Sequence, residues 1–164
     1  LPWLSLGANV HAATETLAEG ASYKAFSGDL FLMGHMDSFK FAAGVVSLGT
    51  PVKSSTGTSY NLPSSLKLAG GYEDSFGGIS CAVYTDLDYF FLASSFSASV
   101  GAELGWDEIA SLRAGYHFAS KNAPVPNYFS AGLGGSLLGF SLDAAVLLGG
   151  QLSGTVLVTL GYGF

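Results

Sequence analysis

Short segments in which apolar residues alternate with small or polar residues recur along the whole chain, and they constrain the fold more than any other feature. The last segment, Thr155 to Phe164, shows the pattern most clearly. Its apolar side chains fall on one face of an extended strand: Val156, Val158, Leu160, Tyr162 and Phe164. Because successive side chains of a β-strand point to opposite faces, this period of two predicts strands with one apolar face.

The same rule holds in nine further segments upstream. In order, the predicted strands are Leu4 to Ala12, Phe26 to Met36, Phe39 to Ser47, Leu66 to Tyr72, Ile79 to Leu87, Phe96 to Leu104, Ala110 to Phe118, Phe129 to Leu137, Phe140 to Gly149 and Thr155 to Phe164. We therefore expect an all-β fold with about ten antiparallel strands in a single domain, residues 1–164.

The composition indicates which solvent surrounds these strands. Hydrophobic residues make up 49% of the chain and charged residues only 11%, so a water-soluble domain of this size lacks the interior to bury them. No run of about 18 to 20 residues is apolar without interruption, as a membrane-spanning helix requires. Since only helices and closed barrels satisfy their backbone polar groups inside a bilayer, the sequence predicts a transmembrane antiparallel β-barrel.

The predicted connections alternate in length, as they do in outer-membrane barrels with short periplasmic turns and longer external loops. Short turns are expected near Asp37 and Ser38, Asp74 and Ser75, Asp107 and Glu108, and Leu138 and Gly139. Longer connections are expected at Thr14 to Lys24, Thr50 to Asn61, Asp88 to Ser94, and Ser120 to Asn127. The short turns are therefore assigned to the periplasmic side.

Aromatic residues concentrate at the predicted strand ends, as the aromatic girdles of membrane interfaces require. Toward the periplasmic rim we expect Trp3, Phe39, Phe76, Trp106, Phe140 and Phe164. Toward the outer rim we expect Tyr60, Tyr89, Phe90, Phe91, Phe118, Tyr128 and Phe129. Ordinary core aromatics are the alternative interpretation, but they do not predict this clustering.

The final residues indicate an address in the bacterial outer membrane. An alternating last strand that carries Tyr162 and ends on Phe164 resembles the insertion signal read by the outer-membrane assembly machinery. A buried strand of a β-sandwich is the alternative interpretation of the same alternation. The chain begins at Leu1, as expected of a mature form or a fragment.

Three stretches carry a resemblance to a known family. They are G-A-E-L-G-W-D-E-I-A-S-L-R-A-G-Y from Gly101, N-L-P-S-S-L-K-L-A-G-G-Y from Asn61, and F-S-A-G-L-G-G-S-L-L-G-F-S-L-D-A-A-V from Phe129, with fainter matches at Leu4 and Ser27. The chain resembles the C-terminal part of the PorV/PorQ family, FadL-like barrels associated with type IX secretion. These motifs are strand-and-turn patterns that cover most of the chain and include no catalytic signature.

The resemblance implies about fourteen strands, preceded by an N-terminal segment that can enter the lumen. Only about ten strands are found in the sequence. One alternative is that the first strands lie outside this chain or belong to a separate chain. The other is that ten strands close on their own, as an even number can.

Charged residues on the polar face predict a polar barrel interior. A tight turn after Trp106 places Glu103 opposite Arg113, so we expect an ion pair that neutralises both charges. A ligand-binding role for this pair is the alternative. The parity of the strands also assigns the following residues to the lumen: Asp29, Lys40, Lys67, Asp86, His117 and Asp143.

No cofactor, metal site or catalytic residue is expected. The histidines His11, His35 and His117 lie on different predicted strands without metal-ligand spacing. His117 with Ser120 is the nearest approach to a catalytic pair, but no Asp is predicted beside them. The only cysteine, Cys81, is expected to be a small lipid-facing residue.

Two exposed apolar stretches are candidates for contact with a protein partner or, alternatively, for anchoring in the membrane interface. They comprise Tyr89, Phe90 and Phe91 in one external connection, and Pro124 and Pro126 in another. Nucleic acid is not an expected partner, because the net charge is −6 and the six Lys and Arg residues are scattered singly.

The resemblance implies a non-enzymatic secretion component that binds or shuttles cargo or partner proteins in a larger outer-membrane complex. A FadL-like channel for hydrophobic small molecules is the alternative, and a purely structural scaffold barrel is a third hypothesis. The Ser, Gly and charged residues of the predicted interior argue mildly against a channel for hydrophobic molecules.

Overall fold

The structure, a computed structural model, describes residues 2–16, 22–55, 57–107, 109–150 and 154–163. Within these ranges the regular elements are β-strands, and no residue is α-helical. The strands are β1 Leu4–Thr16, β2 Ser22–Met36, β3 Phe39–Ser54, β4 Ser59–Tyr60, β5 Ser65–Phe76, β6 Ile79–Phe90, β7 Ser95–Trp106, β8 Ala110–Ala119, β9 Tyr128–Leu137, β10 Phe140–Leu148 and β11 Thr155–Tyr162. In the described part of the chain, no helix is long and apolar enough to cross a membrane.

All eleven strands belong to one antiparallel sheet, which confirms the predicted all-β antiparallel fold. The order follows the chain, β1-β2-β3-β5-β6-β7-β8-β9-β10-β11, and the short β4 pairs with the C-terminal end of β3. β1 and β11 do not pair with each other over the described residues, so the sheet is open. The sequence left two alternatives open. The structure does not show the one in which these ten strands close on their own.

The register sorts side chains into two faces, called here the apolar face and the polar face. One row of directly paired residues on the apolar face crosses six strands: Val83, Ala102, Ala114, Ala131, Val146 and Val156. A row on the polar face reads Asp86, Ser99, His117 and Tyr128. Antiparallel partners lie on the same face, so the alternation in each strand is propagated across the whole sheet.

The apolar face is uncovered. Among the described residues no hydrophobic side chain is buried, while large apolar side chains such as Leu160 and Val156 are 73% and 66% exposed. A water-soluble sheet buries one face against a second layer, and the described chain supplies no such layer. The described residues therefore leave the apolar face exposed.

Short turns join the strands at one end of the sheet, called the short-turn end. Backbone φ is positive at Asp37, Asp107 and Leu138, and at Gly77 and Gly78. The turn predicted near Asp74 and Ser75 is wrong. Both residues lie in β5, where they pair with Cys81 and Ser80. Two consecutive glycines adopt positive φ at lower cost than Asp and Ser, so the reversal occurs at Gly77 and Gly78. Glu108, in another predicted turn, lies outside the described residues.

At the opposite end, called the loop end, several strands are longer than predicted. β1 continues to Thr16, β2 begins at Ser22 and β3 continues to Ser54. Parts of the predicted connections 14–24 and 50–61 are therefore strand. Two register shifts between β2 and β3 interrupt the alternation of side chains, and the two strands pair again on either side of each shift. At one of them Ser47 has a φ of 55° and its N–H donates to Asp29 Oδ1 at 2.8 Å, a bulge that a period-two pattern does not reveal.

The Leu138 turn provides a test of the fold. Leu138→Asn should raise the free energy of unfolding by about 1 kcal/mol, because Asn tolerates positive φ better than Leu before a glycine. The measurement is urea unfolding in detergent micelles, followed by tryptophan fluorescence. Leu137→Asn, one residue earlier on the apolar face, is the control and should not stabilise the protein. A Leu138→Asn variant less stable than the parent would contradict this turn geometry.

Candidate functional site

The centre of the polar face is a three-residue ion network around Arg113. Its Nε donates to Glu103 Oε2 at 2.6 Å, and its Nη1 donates to Asp143 Oδ1 at 2.6 Å. Glu103 is the direct register partner of Arg113, so the contact predicted from the turn geometry is present. Asp143 lies two strands away on β10, and this second contact was not predicted.

Glycine makes the second contact of Arg113 possible. β9 lies between β8 and β10 and places Gly132 opposite Arg113 and Gly134 opposite Asp143. A Cβ atom at Gly134 would stand 3.5 Å from Arg113 Nη1 and 2.6 Å from Asp143 Oδ1. Any side chain at this position would therefore occupy the path of the ion pair.

Two further cations of the polar face also have carboxylate partners. Lys67 Nζ donates to Asp88 Oδ1 at 2.6 Å, and Lys40 Nζ donates to Glu73 Oε1 at 2.5 Å. Tyr84 also donates its hydroxyl to Glu73. Glu73 and Asp88 were missed because the predicted strands ended one residue before each of them. Extending the predicted strands beyond Tyr72 and Leu87 would have placed both carboxylates on the polar face.

Asp29 and His11 form a fourth polar contact, near the β3 bulge. His11 Nε2 and Asp29 Oδ2 are 2.8 Å apart, while the other oxygen of Asp29 accepts from Ser47 N–H. The carboxylate thus connects β1, β2 and β3 on the polar face. Its location on that face agrees with the parity prediction.

His117 is the most enclosed of the predicted polar residues, with 9% of its surface exposed. Its Nδ1 bonds Ser99 Oγ at 2.9 Å, and its ring stacks on Tyr128 with centroids 5.0 Å apart. Its Nε2 is buried and has no partner in the described residues. Ser120, the other half of the nearest catalytic pair, instead accepts a hydrogen bond from Phe96 N–H at 2.9 Å, so the two residues have different partners.

A hollow of about 420 Å³ on the polar face extends from β6 to β11. Its polar lining includes Asp86, Ser99, Arg113, His117, Tyr128 and Asp143. Within the described residues Asp86 has neither an ion pair nor a hydrogen-bonding side-chain partner. The hollow joins most of the predicted interior residues in one polar surface.

The aromatic residues form contacts at both ends of the sheet. At the short-turn end Phe39 packs on Tyr72, and Tyr162 packs on Phe140 with centroids 4.6 Å apart. Phe164, the other residue of the predicted insertion signal, lies outside the described residues. Tyr128, predicted for the outer girdle, is on the polar face because it pairs with His117.

The partner-contact candidates differ in exposure. Tyr89 and Phe91 are exposed and meet edge-on at 5.6 Å, whereas Phe90 is half-buried and its side chain lies on the polar face. Pro124 is exposed, and Pro126 is half-buried beside Gly150. Among these five candidates, Tyr89, Phe91 and Pro124 are thus the exposed ones.

The chemistry of the described side chains is that of ion pairs and hydrogen bonds. They include no group of three or more His, Cys, Asp or Glu residues that could hold a metal ion. Cys81 is half-buried on the apolar face, paired with Asp74 and Leu104. Comparison with protein-family models and with curated proteins found no match to the chain.

The Arg113 network can be tested by removing its cation. Arg113→Met should lower the free energy of unfolding by about 1 kcal/mol, because exposed ion pairs contribute about 0.2 to 1 kcal/mol each and two carboxylates would then face each other unpaired. Asp143→Asn should cost less, since Glu103 keeps its contact with Arg113. Urea titration in micelles measures both variants. Equal stability of Arg113→Met and the parent would show that the network contributes nothing.

Proposed function

We propose that the chain is a large part of an outer-membrane β-barrel, and that this barrel serves a protein secretion complex of the type IX kind by binding or shuttling cargo or partner proteins. The observation that carries the membrane part is the uncovered apolar face, which runs across all the long strands. Burial of such a face in lipid is favourable by about 25 cal/mol per Å² of apolar surface.

The two faces fit the two environments of a barrel. The polar face carries Arg113, Lys40 and Lys67, each with a carboxylate partner, so these cations are neutralised. The aromatic contacts at both ends of the sheet fit the two interfaces of a bilayer. In the orientation we propose, the short-turn end faces the periplasm and the loop end faces outward.

The open edges of the sheet fit a barrel that contains further strands. Edge strands expose unpaired N–H and C=O groups, which a bilayer does not tolerate. We propose that additional strands pair with β1 and β11 to close the barrel. The fourteen strands implied by the resemblance to the PorV/PorQ family are consistent with this arrangement.

Two considerations favour a role in protein secretion over the transport of hydrophobic molecules. The motifs at Gly101, Asn61 and Phe129 resemble a family associated with secretion. The polar face is crossed by ion pairs, which suit neither the binding nor the passage of hydrophobic solutes. Tyr89 and Phe91, exposed at the loop end, are the surface we propose for a protein partner.

A FadL-like channel for hydrophobic small molecules is the second candidate, and the hollow on the polar face favours it. Beside the polar groups, this hollow is lined by Ala145 and Leu157. Its volume of about 420 Å³ lies within the range of small-molecule sites. Bound lipid recovered from this hollow would favour the channel.

Neighbouring residues on opposite faces of β11 test the membrane assignment. Val158→Arg on the apolar face should lower stability in lipid vesicles by about 2 to 4 kcal/mol, the cost of a cation near the bilayer midplane. Thr159→Arg places the same charge on the polar face and should cost much less. The free energy of unfolding from vesicles is the measurement. Equal losses of stability in the two variants would contradict the assignment of the apolar face to lipid.

Affinity purification of the natively expressed protein from outer membranes tests the secretion assignment. We expect mass spectrometry to identify secretion proteins together with this chain, and Tyr89→Ser/Phe91→Ser to reduce their recovery. Asn122→Ser, at an exposed position in another loop at the same end, is the control. Recovery of a lone 16.8 kDa species with bound lipid and without partners would exclude the secretion role and favour the channel.

A further inference from the structure

A row of hydrogen-bond donors crosses the loop end of the apolar face. Thr14 on β1 pairs with Lys24 on β2, Lys24 pairs with Lys53 on β3, and Lys53 pairs with Ser59 on β4. Register partners lie on the same face of a sheet. Two ammonium groups, flanked on each side by a hydroxyl, therefore share one line on the apolar face; we call Thr14, Lys24, Lys53 and Ser59 the lysine row.

The two lysines are an unusual pair because like charges stand directly opposite each other. The Cα atoms of opposed residues in an antiparallel pair lie about 4.5 to 5.5 Å apart, and like charges so placed are destabilising. Lys40, Lys67 and Arg113 all have carboxylate partners, whereas Lys24 and Lys53 have none among the described residues. Glu15 lies nearby in sequence but pairs with Tyr23, so its side chain is on the opposite face.

A surface cavity of about 580 Å³ accompanies the row. Its lining adds the hydroxyls of Ser22 and Thr50 to Thr14, Lys24 and Lys53. Phe26, which also lines it, is 57% exposed and lies one step toward the middle of the sheet on the same face. The arrangement is thus a cationic, hydroxyl-rich site directly beside exposed apolar surface.

We propose that the lysine row binds the phosphate group of a membrane lipid. Two adjacent ammonium groups complement a doubly charged phosphate, and the neighbouring hydroxyls donate to its remaining oxygens. Phe26 and the apolar face beyond it contact the acyl chains of the same lipid. The loop-end position assigns this lipid to the outer leaflet, a detail that rests on the proposed function, whereas the binding chemistry does not.

Charge reversal distinguishes the site from general attraction between charges. The probe is dioleoyl phosphatidic acid titrated into the full chain in uncharged detergent micelles, with dioleoyl phosphatidylcholine as the matched neutral lipid, and bound lipid is read by native mass spectrometry. We expect Lys53→Glu to raise the apparent Kd for phosphatidic acid about tenfold or more, from the energy of charges near a lipid surface. Lys121→Glu makes the same change in net charge in another loop at this end and should alter the Kd less than about twofold.

Misfolding does not explain the expected loss. Lys53→Glu replaces a repulsive pair by an attractive one, so its urea midpoint should equal or exceed that of the parent. The double variant Lys24→Arg/Lys53→Arg keeps both charges and should retain binding. Equal Kd values for the parent and Lys53→Glu overturn the site, as does equal binding of phosphatidic acid and phosphatidylcholine. Inorganic phosphate that binds as tightly as phosphatidic acid overturns the lipid assignment.

Membrane fractionation decides the proposed function separately. A chain that discriminates phosphatidic acid in micelles but fractionates away from outer membranes refutes the proposed function and leaves the lysine row established. A chain that integrates into the outer membrane but shows no lysine-dependent binding refutes the lysine row alone.

Discussion

The cross-strand register is the constraint on which the rest of this structure depends. Each strand alternates apolar and polar side chains, but it is the antiparallel pairing that aligns Val83 with Ala102 and Glu103 with Arg113. A slip by one residue between two strands would move every side chain of one strand to the wrong face. The register thus determines both which backbone groups pair and which face each side chain occupies, and no buried hydrophobic core forms in the described chain.

Charge follows the same partition. On the polar face cations meet carboxylates, and glycines leave room for Arg113 to reach Asp143 across an intervening strand. On the apolar face at the loop end, Lys24 and Lys53 lack such partners among the described residues. The three cations that pair on the polar face thus have carboxylate partners, whereas Asp86 on the same face and the two lysines at the loop end have none among the described residues.

The sequence predicts the local features of this fold better than the long-range ones. Alternation located ten of the strands, and turn geometry placed Glu103 opposite Arg113, because both depend on neighbouring residues. The prediction from the sequence missed Glu73 and Asp88, which lie one residue beyond the predicted strand ends, where the backbone pairing continues. It also missed the bulge at Ser47, whose N–H donates to a carboxylate on another strand. The alternation within each strand does not determine whether β1 and β11 pair with each other. It also does not determine what a partner or ligand contributes.

The path of the strands limits what can complete the sheet. Ten strands follow one another through nine antiparallel pairings, so β1 and β11 run in opposite directions. Strands added between these two edges must restore strict reversal at both junctions, which only an even number can do. A single extra strand would create one parallel junction, with its slanted and slightly weaker hydrogen bonds. Two strands are therefore the smallest addition that keeps every junction antiparallel.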